Sequence, residues 1–113
     1  MAERPTQWAV TDTGTDAALA ATKSGIADFR HYITGISISG SAAPAAAVVV
    51  QVLNGATPVD QFIIPPGAFS PIVINYDHPL RCADGADAEV TVEALGSGVV
   101  SHAVIRGFTV KGG

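Results

Sequence analysis

Apolar and polar residues alternate with period two over short runs, and Gly-, Pro- or Asn-rich breaks separate the runs. The cleanest alternation is Ala88–Leu95, where Ala88, Val90, Val92 and Ala94 face in and Glu89, Thr91 and Glu93 face out. Ser70–Tyr76 places Ile72, Ile74 and Tyr76 on one face, and Val99–Val110 reads as a last long strand interrupted by Gly107. Ala46–Leu53 is apolar on both phases, the pattern of a strand buried on both sides or shared between core and interface. Asn54-Gly55 follows it and predicts a type I′ hairpin turn, because both residues tolerate positive φ. The return strand is Thr57–Ile64, with Pro58 near its start. Gly96-Ser97-Gly98 predicts a further hairpin turn, and Asp77–Ala86 a loop.

The longest β-rich run is Phe29–Ser39, FRHYITGISIS. Phe29, His31 and Ile33 share one face, whereas Ile36 and Ile38 fall on the other, with Gly35 where the phase changes. A glycine inside a strand marks a bulge or a close backbone approach. The run predicts one strand bent at Gly35, giving apolar groups to both faces and covered on each side. Gly40–Ala45 then forms a flexible connection. Met1–Thr15, with Pro5 and the polar TDTGT run, reads as an extended N-terminal arm before a single domain over 16–113. Asp16–Gly25 fits a short helix capped by Asp16 and Gly25, or a first strand. Seven to eight short strands spaced by turn signals predict an all-β protein, an antiparallel β-sandwich of jelly-roll type.

The segment RHYITGISIS, followed by a small-residue linker, the valine run, the hairpin and Pro79-Leu80-Arg81, resembles a family of small all-β phage virion proteins. Some members of that family decorate the head, and others belong to the neck or tail. The resemblance runs from about Ala17 to Val110. It implies a strand rather than a helix at Asp16–Gly25, and a protein that assembles with copies of itself, as a trimer, and with a shell protein.

Composition narrows the partners. Of 113 residues, 48% are hydrophobic and 14% charged, so few groups keep a lone surface wet. The net charge is −4, and the six Lys and Arg are scattered along the sequence, so no basic footprint for nucleic acid is visible. The single cysteine, Cys82, excludes an internal disulfide framework. No run approaches the length of an apolar membrane span, and MAERPTQWAV has no leader pattern. Synthesis in a bacterial cytoplasm followed by incorporation into a virion is the expected course.

Candidate chemistry is sparse. His31, His78 and His102 with Asp77 offer metal-ligand atoms, but without spacing such as HxH or HExxH they read as surface or interface histidines. Cys82 with a distant histidine lacks any nucleophile signature, and Asp84, Asp87 and Glu89 around Gly85 miss the calcium-loop spacing. No catalytic constellation, metal or cofactor is expected, so the chain reads as a non-enzyme. The aromatics fall mostly on strands and read as core; Trp8 and Phe69 lie in segments expected to be exposed. Trp8 packs back on its own domain or anchors the arm on a neighbour. The interface residues expected are Trp8, Val10, Ile33 and Val49. The function expected is a capsid decoration protein that reinforces the head shell. The alternatives are a neck, tail or head-fibre component, or a carbohydrate-binding module that recognises a host.

Overall fold

A computed structural model describes residues 6–67 and 71–111. Among them are eight strands and no helix: β1 (Thr6–Thr15), β2 (Leu19–Lys23), β3 (Phe29–Gly40), β4 (Val48–Asn54), β5 (Thr57–Ile64), β6 (Ile72–Arg81), β7 (Ala88–Val92) and β8 (Val100–Lys111). They form two antiparallel four-stranded sheets in a sandwich-like all-β fold. The front sheet has the order β1-β8-β3-β6 and the back sheet β2-β7-β4-β5. The inward residues of both sheets make one core, including Ile33, Ile36, Ile38 and Ile105 from the front and Val50, Val52 and Val90 from the back. The strands expected at Asp16–Gly25 and Thr57–Ile64 are present as β2 and β5.

The bend expected at Gly35 is a β-bulge, since the register of β3 shifts between Ile33 and Gly35 against both β6 and β8. Its effect on the faces overturns the sequence expectation. The extra residue, Thr34, resets the phase, so His31 and Ile33 before it and Ile36 and Ile38 after it all enter the same core. Gly35 therefore falls on the outer face with Ser37. There its missing side chain leaves room: a Cβ would meet the Ile74 carbonyl at 2.8 Å and an Arg106 guanidinium nitrogen at 3.0 Å.

Several boundaries also move. Thr6–Thr15, expected in the arm, is the edge strand β1, fully paired with β8; its β-branched threonines face out while Trp8 and Val10 pack against the core. Met1–Pro5 lie outside the described residues. β6 continues past Tyr76 to Arg81 where a loop was expected, because Leu80 and Arg81 pair again with Ile33 and Tyr32 beyond the irregularity. Pro79 is tolerated there because β6 is an edge strand. Asn54 is not in the hairpin turn. It pairs with Thr57, and Gly55 alone has positive φ (62°), the II′ rather than the I′ pattern. Ala94 is exposed and Leu95 takes the buried place. Gly96-Ser97-Gly98 is no hairpin, because it carries the chain from the back sheet to the front. Val49 and Leu53 are half-buried on the outer face of β4, so that strand is not covered on both sides within the chain.

β5 and β6 are the edge strands on one side of the two sheets. Tyr76 on β6 donates a hydrogen bond of 2.8 Å to Asp60 on β5, tying one sheet to the other. Burial, then this bond and the Asp60 charge, hold the Tyr76 phenol well above its ordinary value of 10.0. The neutral phenol is thus favoured by folding. Its contribution is complete below pH 10.0 and is lost as the pH rises above it, where the unfolded chain ionises first. Tyr76→Phe is expected to cost about 1 kcal/mol at neutral pH and to show a smaller loss of stability than the wild type above pH 10.0, measured by urea unfolding across pH.

Candidate binding face of the front sheet

Sequence positions proposed as one interface do not form one surface. Ile33 is 0% exposed and belongs to the core, so it contacts no partner in this fold. Trp8 and Val10 point inward from β1, whereas Val49 lies on the outer face of the back sheet. Trp8 has an intramolecular role. Its indole N–H donates to Thr109 Oγ1 (2.9 Å), and its ring meets His31 edge-on with centroids 5.5 Å apart. His31 Nε2 lies 2.8 Å from the Ser24 carbonyl, which only accepts, so Nε2 carries the proton. Nδ1 then accepts from the Thr109 hydroxyl at 2.6 Å. The chain of bonds Trp8–Thr109–His31–Ser24 ties β1, β8, β3 and the β2–β3 loop. Gly107 makes it sterically possible, because a Cβ there would come within 2.7 Å of the Trp8 ring and would collide with the Tyr32 carbonyl.

The remaining candidates for chemistry are apart. His31 is buried, while His78 and His102 are exposed, and His102 bonds Thr13 through Nδ1 at 2.9 Å. Among the described residues no three His, Cys, Asp or Glu side chains gather as metal ligands. Asp87 Oδ1 accepts from the Gly25 N–H and Glu89 from the Thr22 hydroxyl, so both bind their own chain. Cys82 is buried, and burial pushes its thiol up, away from the nucleophilic thiolate. Phe69 lies outside the described residues.

The face that sequence reasoning missed is the outside of the front sheet. Cross-strand rows read Gln7–Phe108–Tyr32–Arg81, then Ala9–Arg106–Gly35–Asn75, then Thr11–Val104–Ser37–Val73. Arg30, beside Val110, precedes the first row. Tyr32 and Phe108, read from sequence as core, stack on each other outside it, with centroids 5.0 Å apart and planes 10° from parallel. Arg30, Arg81 and Arg106, scattered in sequence, are gathered around that pair. The rows contain no carboxylate.

The carboxylates on the strands of the front sheet, Asp12 and Asp77, lie on its edge strands β1 and β6. Glu89 and Glu93 sit on the back sheet side. Among the described residues, the carboxylates that form hydrogen bonds, Asp12, Asp60, Asp87, Glu89 and Glu93, spend them on backbone N–H groups and hydroxyls, none on a cation. Arg106 instead donates to the neutral Ser37 hydroxyl at 2.7 Å, and Arg30 Nε is covered without any partner. The signal was present in SHAVIRGFTV of β8. Its inward residues are Ser101, Ala103, Ile105, Gly107 and Thr109, smaller on average than the outward His102, Val104, Arg106, Phe108 and Val110. Size and hydropathy thus point the wrong way there, and alternation alone gives the face. Comparison with known protein families and with curated proteins finds no match to the chain.

Thr109→Val is expected to cost about 2 kcal/mol, since it strands both the Trp8 N–H and His31 Nδ1. Gly107→Ala is expected to cost about 3 kcal/mol through the clash with Trp8 and the Tyr32 carbonyl. Thermal unfolding followed by fluorescence of Trp8 checks both.

Proposed function

We propose that the chain is a self-associating structural protein of a phage virion, a head decoration protein that reinforces the shell. The observation that carries the reading is the open side of the fold. Edge strands β5 and β6 border the same side of the fold; Val59 and Ile63 on the outer face of the back sheet and Val73 on the outer face of the front sheet are 39%, 59% and 60% exposed. Sheet edges present unpaired N–H and C=O groups, and natural edges are commonly blunted by charge, proline or a bulge. Here Pro58, Asp60 and a register shift blunt the start of β5, and Asp77, Pro79 and an irregularity blunt the end of β6, which leaves Gln61–Ile64 and Ile72–Tyr76 as the open stretches. Pairing with copies of the chain would cover both the apolar groups and the backbone.

Two further features support the reading. The strand order β1-β8-β3-β6 over β2-β7-β4-β5 agrees with a jelly roll, an architecture used by viral capsid and lectin domains. The resemblance of RHYITGISIS to phage virion proteins points the same way and favours a trimer. The mechanism is mechanical: subunits associate through their open edges and then bridge shell proteins, and many contacts repeated over a lattice resist the pressure of packaged DNA. A neck or tail position draws on the same features. Incorporation into a virion after synthesis in the bacterial cytoplasm completes the proposal.

Light scattering after size exclusion tests it. The wild type is expected at the mass of three copies. Ile63→Lys with Val73→Lys is expected at one copy, with a melting temperature within about 3 °C of the dissociated wild type, because both side chains point to solvent within the subunit. A wild type that stays at one copy at every concentration and in the presence of its particle would contradict self-association.

A further inference from the structure

The geometry points to a binding site on the outer face of the front sheet for a saccharide that carries a single carboxylate. This site is separate from the β5–β6 edge, and it stands whether or not the chain self-associates. The groove holds about 470 Å³, the size of a site for one or two sugar rings, and Arg106, Phe108, Thr34 and Gln7 line it.

Arg106 is prepared for a carboxylate. Gly35 leaves the space over which its guanidinium lies, and the Ser37 hydroxyl fixes one of its nitrogens. Among the described residues no carboxylate bonds to it, so its other N–H groups are available to form the paired bonds that guanidinium makes with carboxylate. Phe108 is held flat against Tyr32, which gives the apolar C–H face of a sugar ring a rigid wall beside that charge. The Thr34 hydroxyl and the Gln7 amide supply the mixed donors and acceptors that sugar hydroxyls need. Thr34 is the bulge residue, so the irregularity that unites the core also places Thr34 in the lining of the groove.

One charge rather than many follows from the whole molecule. The net charge is −4, and the front sheet itself carries Asp12 on β1 and Asp77 on β6, so a polyanion such as a nucleic acid is repelled beyond the reach of the few local arginines. A lone carboxylate meets only the local arginines. Concavity with converging polar groups favours a small ligand over a flat acidic protein surface.

The test is a titration of the isotope-labelled full chain, followed by NMR, with 3′-sialyllactose, its neutral parent lactose, and inorganic phosphate. The expected result is saturable binding of sialyllactose at least about tenfold tighter than lactose or phosphate, with shifts at Gln7, Thr34, Arg106 and Phe108. Arg106→Gln is expected to lose that preference. Ser37→Ala, which keeps the charge but frees the guanidinium, is expected to weaken it by a smaller factor and guards against a folding defect in the first variant. Equal binding of lactose, equal binding of phosphate, shifts located elsewhere, no shift at all, or tighter binding of a poly-glutamate peptide than of sialyllactose would each overturn the proposal.

Discussion

The extra residue at Thr34 is the constraint on which the rest of the molecule depends. Side chains on a strand alternate, so a strand of twelve residues with apolar groups on both phases cannot fill one core unless its phase is reset. The bulge makes that reset between Ile33 and Gly35. It lets β3 stay at the centre of the front sheet, between β8 and β6, with every large apolar side chain of its core-facing set buried. The same shift turns Gly35 outward, and the space it leaves is where Arg106 lies. Core formation and the character of the outer face thus share one cause.

A second level of organisation is polar and lies at the perimeter. Trp8, Thr109, His31 and Ser24 form a chain of hydrogen bonds in which each hydrogen has one acceptor, and it ties edge strand β1 to its neighbours. Tyr76 and Asp60 do the corresponding work on the other side, joining edge strand β6 to edge strand β5. The two sides differ in what they leave outside. On the β1 side threonines face solvent, and on the β5–β6 side Val59, Ile63 and Val73 do. The proposed self-association belongs to the second side because only there do open backbone and exposed apolar groups coincide.

Much of this was legible in the sequence. Period-two runs and turn residues give the all-β class, the limits of β5 and the inward set of β7. The phase change at Gly35 announces the bulge but not its direction. Two faces, or one face reached by an inserted residue, give the same apolar pattern, and only the neighbouring strands decide. β1 was misread because Thr11, Asp12 and Thr13 are polar, although threonine is a good edge-strand residue. The basic and aromatic face was invisible for a different reason. Arg30, Arg81 and Arg106 are far apart in sequence and become neighbours only through the order β8-β3-β6. Phe108 and Tyr32 look like core by type, and only strict alternation against His31, Gly107 and Thr109 turns them outward.

The most direct test of the account is the register of β3 in solution, read from cross-strand NMR contacts between backbone protons. The account predicts that Ile33 faces Gly107 and Gly35 faces Arg106, with Ile36 opposite Ile105 and Thr34 inserted between the two registers. A continuous register through Thr34, pairing it with Arg106 and carrying Ile36 to the outer face, would contradict both the single core and the placement of Arg106.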